Sequence, residues 1–322
     1  MKEIRWGVLG CAGIARKAMF NGIMNARNAR LYAISSRTPD KLYDIARQFP
    51  CEKQYLGYEA VLNDPDVDAV YIPLPNALHC EWVVRALEAG KPVLCEKPLA
   101  MNAREVRQIM EASARTGVPV MEAFAYLHDP MMGRIRELVR SGALGQLRYI
   151  EANFSYLLKD TSNVRLIRPL GGGATYDLGC YPVSFIRALA GEEPASIHTT
   201  GRLGAQTRVD EDVLVQMEFA SGLHALSYCS FQAHWSTYNL VLGETGSIEF
   251  PTIFDRGEEK RIIVSTAEGG SHEETFTTGT RYSLQVEQMG RVILEGERPA
   301  ISLEFSLGNA VAMDEILRAC GY

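Results

Sequence analysis

Two rhythms of apolar and polar residues divide the chain. Over the first 122 residues, short runs that are apolar throughout alternate with stretches of helical period. The runs at 4–9, 31–35, 67–72, 92–96 and 118–121 read as strands buried on both faces. With helices between them, they predict a parallel sheet covered on two sides. Local signals agree. Thr38-Pro39-Asp40 supplies an N-cap, a proline at the first helical position and an acidic first turn for a helix to about residue 49. Pro73 and Pro75 stop the third run, and a helix from about residue 77 ends at Gly90. Asn102 with Glu105 three positions on forms a capping box for a helix ending at Gly117.

After Glu122 the rhythm changes. Residues 146–157, 213–220, 223–232 and 238–243 are longer runs with partial alternation, and Ala220-Ser221-Gly222 and Glu244-Thr245-Gly246 are tight turns between some of them. These are antiparallel hairpin signals. Helices are expected at 130–141, 174–190, 281–295 and 306–319, the last of which could return to the first domain. The reading is therefore α/β, with a doubly wound parallel sheet over residues 1–122 and an α+β domain over 123–322. The boundary is a change of architecture, because no Pro/Gly/Ser linker marks it.

Length and composition narrow the class. A chain of 322 residues with 47% apolar and 22% charged residues suits two globular domains and excludes disordered and fibrous classes. Thirty-three Lys and Arg against 39 Asp and Glu leave a net charge of −6, so nucleic acid and anionic membrane surfaces are poor partners. No stretch approaches the roughly 20 apolar residues of a membrane span, and the strand-like run from Ile4 argues against a signal peptide. Seven scattered cysteines without a CxxC pair read as reduced thiols, not as a disulfide framework or a metal site. A cytoplasmic protein acting on small molecules is expected.

Chemistry is suggested first by Gly10-Cys11-Ala12-Gly13-Ile14-Ala15, between the first strand and the first helix. A dinucleotide pyrophosphate needs a tight turn, a close backbone approach and a free helix N-terminus, which Gly10, Ala12, Gly13 and Ile14 could supply. Ala12 stands where the usual motif has its second glycine, and the segment alone reads equally as an ordinary βα turn. The end of the second strand is Ser35-Ser36-Arg37, with Lys41 a helical turn on. No carboxylate is there to grip a ribose 2′-hydroxyl, whereas Ser36, Arg37 and Lys41 suit a 2′-phosphate, so NADP(H) is favoured over NAD(H). Arg37 and Lys41 could also merely solvate a helix start.

Open parallel sheets bind ligands beyond the carboxyl ends of their strands. Glu96 and Lys97, in Cys95-Glu96-Lys97-Pro98, sit at one such end, where a partly desolvated lysine can donate a proton or polarise an oxygen. Pro73 and Asn76 lie at the neighbouring end, and His79 follows them. All three could line a nicotinamide pocket; Asn76 also reads as a helix cap and His79 as a structural histidine. Farther on, Gly171-Gly172-Gly173 precedes a helix on which Asp177 and Tyr181, four apart, share one face. A phenol beside a carboxylate suits oxidation of an alcohol or reduction of a carbonyl. Tyr126, at the entry to the second domain, and Arg165, before the glycines, are candidate substrate contacts.

The first glycine segment, Cys95-Glu96-Lys97-Pro98-Leu99, Met121-Glu122-Ala123-Phe124 and Gly171-Gly172-Gly173-Ala174-Thr175-Tyr176-Asp177-Leu178-Gly179-Cys180-Tyr181 occur in this order along the chain. In that order they resemble the glucose–fructose oxidoreductase/inositol dehydrogenase/rhizopine catabolism (Gfo/Idh/MocA) family over essentially the whole length. The resemblance implies a Rossmann domain and a second domain on a large, open, mostly antiparallel sheet that often forms a dimer interface. It implies an NAD(P)-dependent oxidoreductase of sugars, cyclitols and related diols. Lys97 carries over as the Glu-Lys-Pro lysine and Asp177 as the motif aspartate. Tyr181 replaces a frequent histidine, which brings the chain nearer the dimeric dihydrodiol dehydrogenase, xylose dehydrogenase and nucleotide-ketosugar reductase branches. The expected activity is NADP-dependent hydride transfer to or from a secondary alcohol or carbonyl, by a homodimer or higher homo-oligomer. Tyr181 would be the acid–base group, Lys97 would lower its pKa, and Asp177 would orient it or the substrate. A dinucleotide-binding sensor or structural protein without turnover is the alternative, opposed by the joint presence of Lys97, Asp177 and Tyr181.

Overall fold

The computed structural model describes residues 2–251, 253–254, 259–277, 279 and 281–322. The chain forms two compact units, Met1–His128 with Thr280–Leu307, and Asp129–Gly279 with Gly308–Tyr322.

The first unit is built on six strands: β1 Ile4–Leu9, β2 Ala29–Ser36, β3 Lys53–Leu56, β4 Ala69–Ile72, β5 Val93–Cys95 and β6 Val120–Glu122. Their order is β3-β2-β1-β4-β5-β6, and every adjacent pair is parallel. The four central strands are apolar because helices cover both faces; Val8, Ile34, Val70 and Leu94 have no accessible surface. β3, at the edge, is short and largely exposed. Its polar sequence carries no burial signal, and the periodicity reading passed over it. The capping box forms as expected: Asn102 Oδ1 accepts from the Glu105 amide at 3.0 Å, and Glu105 Oε2 from the Met101 amide at 3.0 Å. Helix Arg281–Glu295 joins this unit, where Glu287 pairs with Arg27 at 2.6 Å and its carbonyl accepts from the Asn28 side chain.

The second unit carries an eight-stranded sheet: β7 Leu147–Ser155, β8 Ser196–Leu203, β9 Asp210–Glu218, β10 His224–Ser230, β11 Asn239–Gly243, β12 Gly246–Phe250, β13 Glu259–Thr266 and β14 Gly270–Thr277. The order is β14-β13-β12-β11-β7-β10-β9-β8, antiparallel except where β10 runs parallel to β7. The two tight turns close the β9–β10 and β11–β12 hairpins. One face is apolar and buried, with Ile150, Val213, Val215, Met217, Val241 and Ile248 all at most 2% exposed, and helix Cys180–Ala190 lies against its β7 and β10. The opposite face is mixed; Leu214, opposite Tyr228 in register, is 42% exposed. From Gly308 on, helix Leu303–Ala319 belongs to this unit, with Asn309 bonded to Arg187.

Among the described residues no helix is long and apolar enough to cross a membrane, and no group of three or more His, Cys, Asp and Glu side chains is placed to hold a metal ion. No cysteine is in a disulfide.

Candidate active site

In the first unit the candidate dinucleotide site lies at the carboxyl ends of β1, β2, β4 and β5. β1 ends at Leu9, and Gly10 turns the chain with φ of 108°, a conformation that suits a residue without Cβ. Its amide donates to the Ser35 carbonyl at 3.0 Å, which fixes the turn to the tip of β2. A side chain on Gly13 would meet nothing within 4 Å, so the backbone there faces open space at a helix start. That is the cradle a pyrophosphate needs. The first helix is not regular: Ala15–Met19 is a π-helical turn running into helix Phe20–Asn25, where the sequence pattern predicted one continuous helix.

At the tip of β2 the side chains divide by role. Ser36 is buried and its Oγ accepts from the Thr38 amide at 3.1 Å, so it shapes the turn. Arg37 is exposed, its guanidinium 5.8 Å above the Tyr58 ring. Lys41 is exposed on the helix that follows. The guanidinium beside it counteracts the burial that pushes the Tyr58 phenol up. A planar cation on an aromatic face and open to solvent keeps its donors available to an anion such as a phosphate.

Lys97 is held by its neighbours. Glu96 is buried: its amide donates to the Ile72 carbonyl at 3.0 Å, and its Oε1 accepts from the Tyr71 hydroxyl at 2.5 Å. On the other side, the Leu99 amide donates to Glu122 Oε1 at 2.8 Å. The peptide between Lys97 and Pro98 is cis. His79 has no exposed atom; Nδ1 is 2.7 Å from the Pro98 carbonyl and Nε2 2.8 Å from the Leu74 carbonyl. It ties the loop after β4 to the loop after β5, and its side chain offers no surface to a ligand. Pro73 is buried in the same loop, and Asn76, half-buried, opens the short helix beyond it. Tyr126 is likewise 1% exposed, set edge-on against Phe124, which leaves no surface for the substrate contact its sequence position suggested.

In the second unit the glycine turn leads into a π-helical turn, Thr175–Gly179, and then helix Cys180–Ala190. Asp177 lies in the π-helical turn and Tyr181 in the first turn of the helix, and both interact with Arg165. Asp177 Oδ2 accepts from Arg165 Nε at 2.5 Å and from the Tyr156 hydroxyl at 3.3 Å. The Asp177 carboxylate holds the Arg165 guanidinium charged, against the cost of its burial, and the Tyr156 and Tyr181 phenols act in the same direction. The Tyr181 ring packs on Phe154 and Phe254, with centroids 5.6 and 5.4 Å away. Trp235, 48% exposed, stands edge-on to Phe154 at 5.7 Å and beside Tyr156. The result is a phenol and a carboxylate bordered by one guanidinium and an aromatic wall. Periodicity did not single out Tyr156 and Trp235, because their roles come from neighbours distant in sequence.

Both π-helical turns follow glycine-rich segments, one at each candidate site. Such turns interrupt regular helices at functional positions more often than elsewhere.

Comparison with known proteins identifies the family. Residues 4–124 match the model of the oxidoreductase family with an NAD-binding Rossmann fold, and residues 132–249 match the GFO/IDH/MocA C-terminal domain. The chain is 34% identical to D-xylose 1-dehydrogenase (NADP(+)) 2 of Haloferax volcanii, over 97% of this chain and 95% of that protein. It is 30% identical to trans-1,2-dihydrobenzene-1,2-diol dehydrogenase of Xenopus laevis, over 98% of both. Among solved structures, the 3-ketoreductase KijD10 of Actinomadura kijaniata, in complex with NADP and TDP-benzene, superposes with a TM-score of 0.90 at 26% identity, covering 99% of this chain and 98% of that one. The chain thus belongs to the GFO/IDH/MocA family of oxidoreductases, with the NAD-binding Rossmann fold in its first unit and the family's C-terminal domain in its second.

Proposed function

We propose that this protein is an NADP-dependent dehydrogenase or reductase acting on a secondary alcohol or carbonyl of a sugar, cyclitol or related diol. The observation that carries the reading is the Asp177–Tyr181 pair: a phenol four residues from a carboxylate already bound to Arg165 and Tyr156. The relatives named above, with xylose, a cyclic diol or a nucleotide-linked analogue in their names, support the substrate class.

Residues 1–122 hold the dinucleotide in this reading and residues 123–322 the substrate. Gly10, Ala12, Gly13 and Ile14 accept the pyrophosphate on backbone amides. Arg37, with Lys41 and the turn shaped by Ser36, receives the 2′-phosphate. Pro73, Asn76 and Glu96 shape the nicotinamide end, with His79 behind them. When bound, the dinucleotide supplies the hydride acceptor or donor. Tyr181 takes the hydroxyl proton during oxidation and returns it during reduction. A phenol near pKa 10 is a poor base at neutral pH unless a cation stabilises its anion; Lys97 supplies that charge, with Arg165 contributing from the Asp177 side. Asp177 orients Tyr181 and the substrate hydroxyls, and Arg165 borders the substrate.

A second copy of the chain covers the mixed face of the eight-stranded sheet in this proposal. Leu214, exposed beside Tyr228, and half-buried Leu226 and Leu240 offer apolar surface that a partner sheet would cover. The seven cysteines, none in a disulfide, fit a cytoplasmic location.

The test is a panel of aldoses, cyclitols and cyclic trans-diols, with their carbonyl counterparts, assayed with NADP⁺, NAD⁺ and the reduced forms. Turnover of one class with NADP(H) at higher kcat/KM than with NAD(H) is expected. Tight NADPH binding with no turnover across the panel would favour a sensor instead.

A further inference from the structure

The helix that presents Asp177 and Tyr181 begins at a buried carboxylate that the proposed chemistry does not use. Asp210, the first residue of β9, has no accessible surface. Its Oδ2 accepts from the Thr175 amide at 2.6 Å. That amide is one of the first in the π-helical turn, where peptide N–H groups lack partners within the helix and where negative charge is favoured. The other oxygen, Oδ1, occupies the space in which a side chain on Gly173 would stand. Gly173 has φ of 133°, a conformation left to glycine. The same turn is gripped from a second side: the Tyr322 hydroxyl donates to the Gly172 carbonyl. The Tyr322 ring is edge-on to Tyr176 at 6.0 Å and lies under the Arg168 guanidinium at 4.2 Å.

Two of the three consecutive glycines thus have a steric reason in this fold. A side chain on Gly172 would collide with the backbone of Arg165 and Ile167, and one on Gly173 with Asp210. The turn lets two polar groups approach its backbone, Asp210 from the sheet and Tyr322 from beyond the last helix. Asp177 lies two residues beyond Thr175, and its own amide closes on the Gly173 carbonyl at 3.1 Å. Arg165 is tied into the same knot, because its carbonyl accepts from the Gly173 amide at 2.9 Å while its side chain binds Asp177.

We propose that Asp210, seconded by Tyr322, is a positioning residue for the reaction: it fixes the start of the Thr175–Ala190 segment and through it the placement of Asp177 and Tyr181. The inference rests on the catalytic reading of Tyr181. Burial pushes the Asp210 carboxyl above its ordinary range, and Asp210 adds to the burial that pushes the neighbouring Cys229 and Cys320 thiols up.

The experiment uses the full-length protein with NADP⁺ and whichever of D-xylose and a cyclic trans-diol it oxidises. Asp210→Ala, Asp210→Asn and Tyr322→Phe are compared with wild type and with Tyr181→Phe, alone and combined. Misplacing a reacting group by about 1 Å costs on the order of 10²-fold. Asp210→Ala should therefore lower kcat about ten- to a hundred-fold, with the dissociation constant for NADPH changed less than about twofold. Asp210→Asn keeps an acceptor for the Thr175 amide and should restore kcat to within about threefold. Tyr322→Phe, the milder variant should Asp210→Ala not fold, should lower kcat about two- to fivefold. Added to Tyr181→Phe, Asp210→Ala should cost less than it does in wild type, since part of its effect runs through Tyr181. Hydrogen exchange of the amides of residues 173–181 should speed up in Asp210→Ala, with those of β1 and β2 unchanged.

Unchanged kcat in both Asp210→Ala and Tyr322→Phe would overturn the proposal, as would an undiminished loss in the Tyr181→Phe background. If Tyr181→Phe is itself fully active, the catalytic reading fails separately. The exchange measurement then decides the pinning of the turn: faster exchange in Asp210→Ala upholds it, unchanged exchange removes it.

Discussion

Arg165 and Asp177 form the closest ion pair in the second unit's candidate site, Nε to Oδ2 at 2.5 Å, with the carboxylate 16% and the guanidinium 41% exposed at the side chain. The carboxylate also accepts from the Tyr156 hydroxyl. Asp177 is therefore held in one orientation by two donors from the same unit, and its charge is balanced locally. In the proposed reaction it would present a fixed acceptor to the substrate and Tyr181 and would not act as a free base.

That arrangement predicts a graded effect. Arg165→Met should remove one charged donor from Asp177 and lower kcat/KM for substrate about ten- to a hundred-fold, the range expected for one hydrogen bond to a charged group. NADPH affinity should stay within about twofold, because the role proposed for Arg165 is at the substrate. Steady-state kinetics with parallel fluorescence titration of NADPH would separate the two. Loss of cofactor affinity by the same factor would move Arg165 out of the substrate role.

Lys97→Met and Tyr181→Phe should each reduce turnover about 10²- to 10⁴-fold, the usual range for a positioned proton-transfer group, with cofactor binding nearly intact. The double variant should be little worse than either single one, since groups acting as a unit are non-additive. Single-turnover rates measure this directly. Near-normal turnover in Tyr181→Phe would remove the phenol from acid–base duty and leave Lys97 as the proton carrier.

For the cofactor, Arg37→Ala should weaken NADPH roughly ten- to a hundred-fold, through loss of a charged hydrogen bond of about 1.5–3 kcal/mol, and NADH far less. The ratio of the two dissociation constants in wild type and variant is the measurement. An equal loss for both cofactors would reduce Arg37 to a partner of the Tyr58 ring.

Acid stability depends in part on Glu274 on β14. Arg134, from helix Pro130–Arg140, donates to it through Nε and Nη2 at 3.0 Å and holds its carboxyl below the usual range. A carboxyl whose folded pKa is depressed contributes fully above its unfolded value, near 4.3, and loses that contribution as pH falls through the folded value. Both groups are partly exposed, so about 1 kcal/mol is expected. Urea unfolding between pH 7 and pH 3 should show Arg134→Met converging on wild type at the acid end. A constant gap across that range would locate the effect in packing.

Association is tested by light scattering. The proposed cover of the eight-stranded sheet predicts a dimer mass at least, and Leu214→Arg should lower it toward the monomer. A monomer mass independent of concentration in wild type would count against the proposal.

Sequence pattern carried much of this protein's local structure. The five buried strands of the first unit, the capping box at Asn102 and Glu105 and the two hairpin turns each follow from residues a few positions apart, and periodicity and capping chemistry operate at that range. Edge strands such as β3 and β14 escaped the same reasoning, because a strand with little to bury has no apolar period. Tertiary structure alone decided the long-range pairings: β10 parallel to β7, Glu287 returning to Arg27, Arg165 clasping Asp177, and Asp210 meeting the Thr175 amide. It also decided that His79 and Tyr126, polar enough to suggest ligand contacts, are enclosed. Burial is a property of what arrives on the other side of a side chain, and the groups that enclose these two come from other loops and strands.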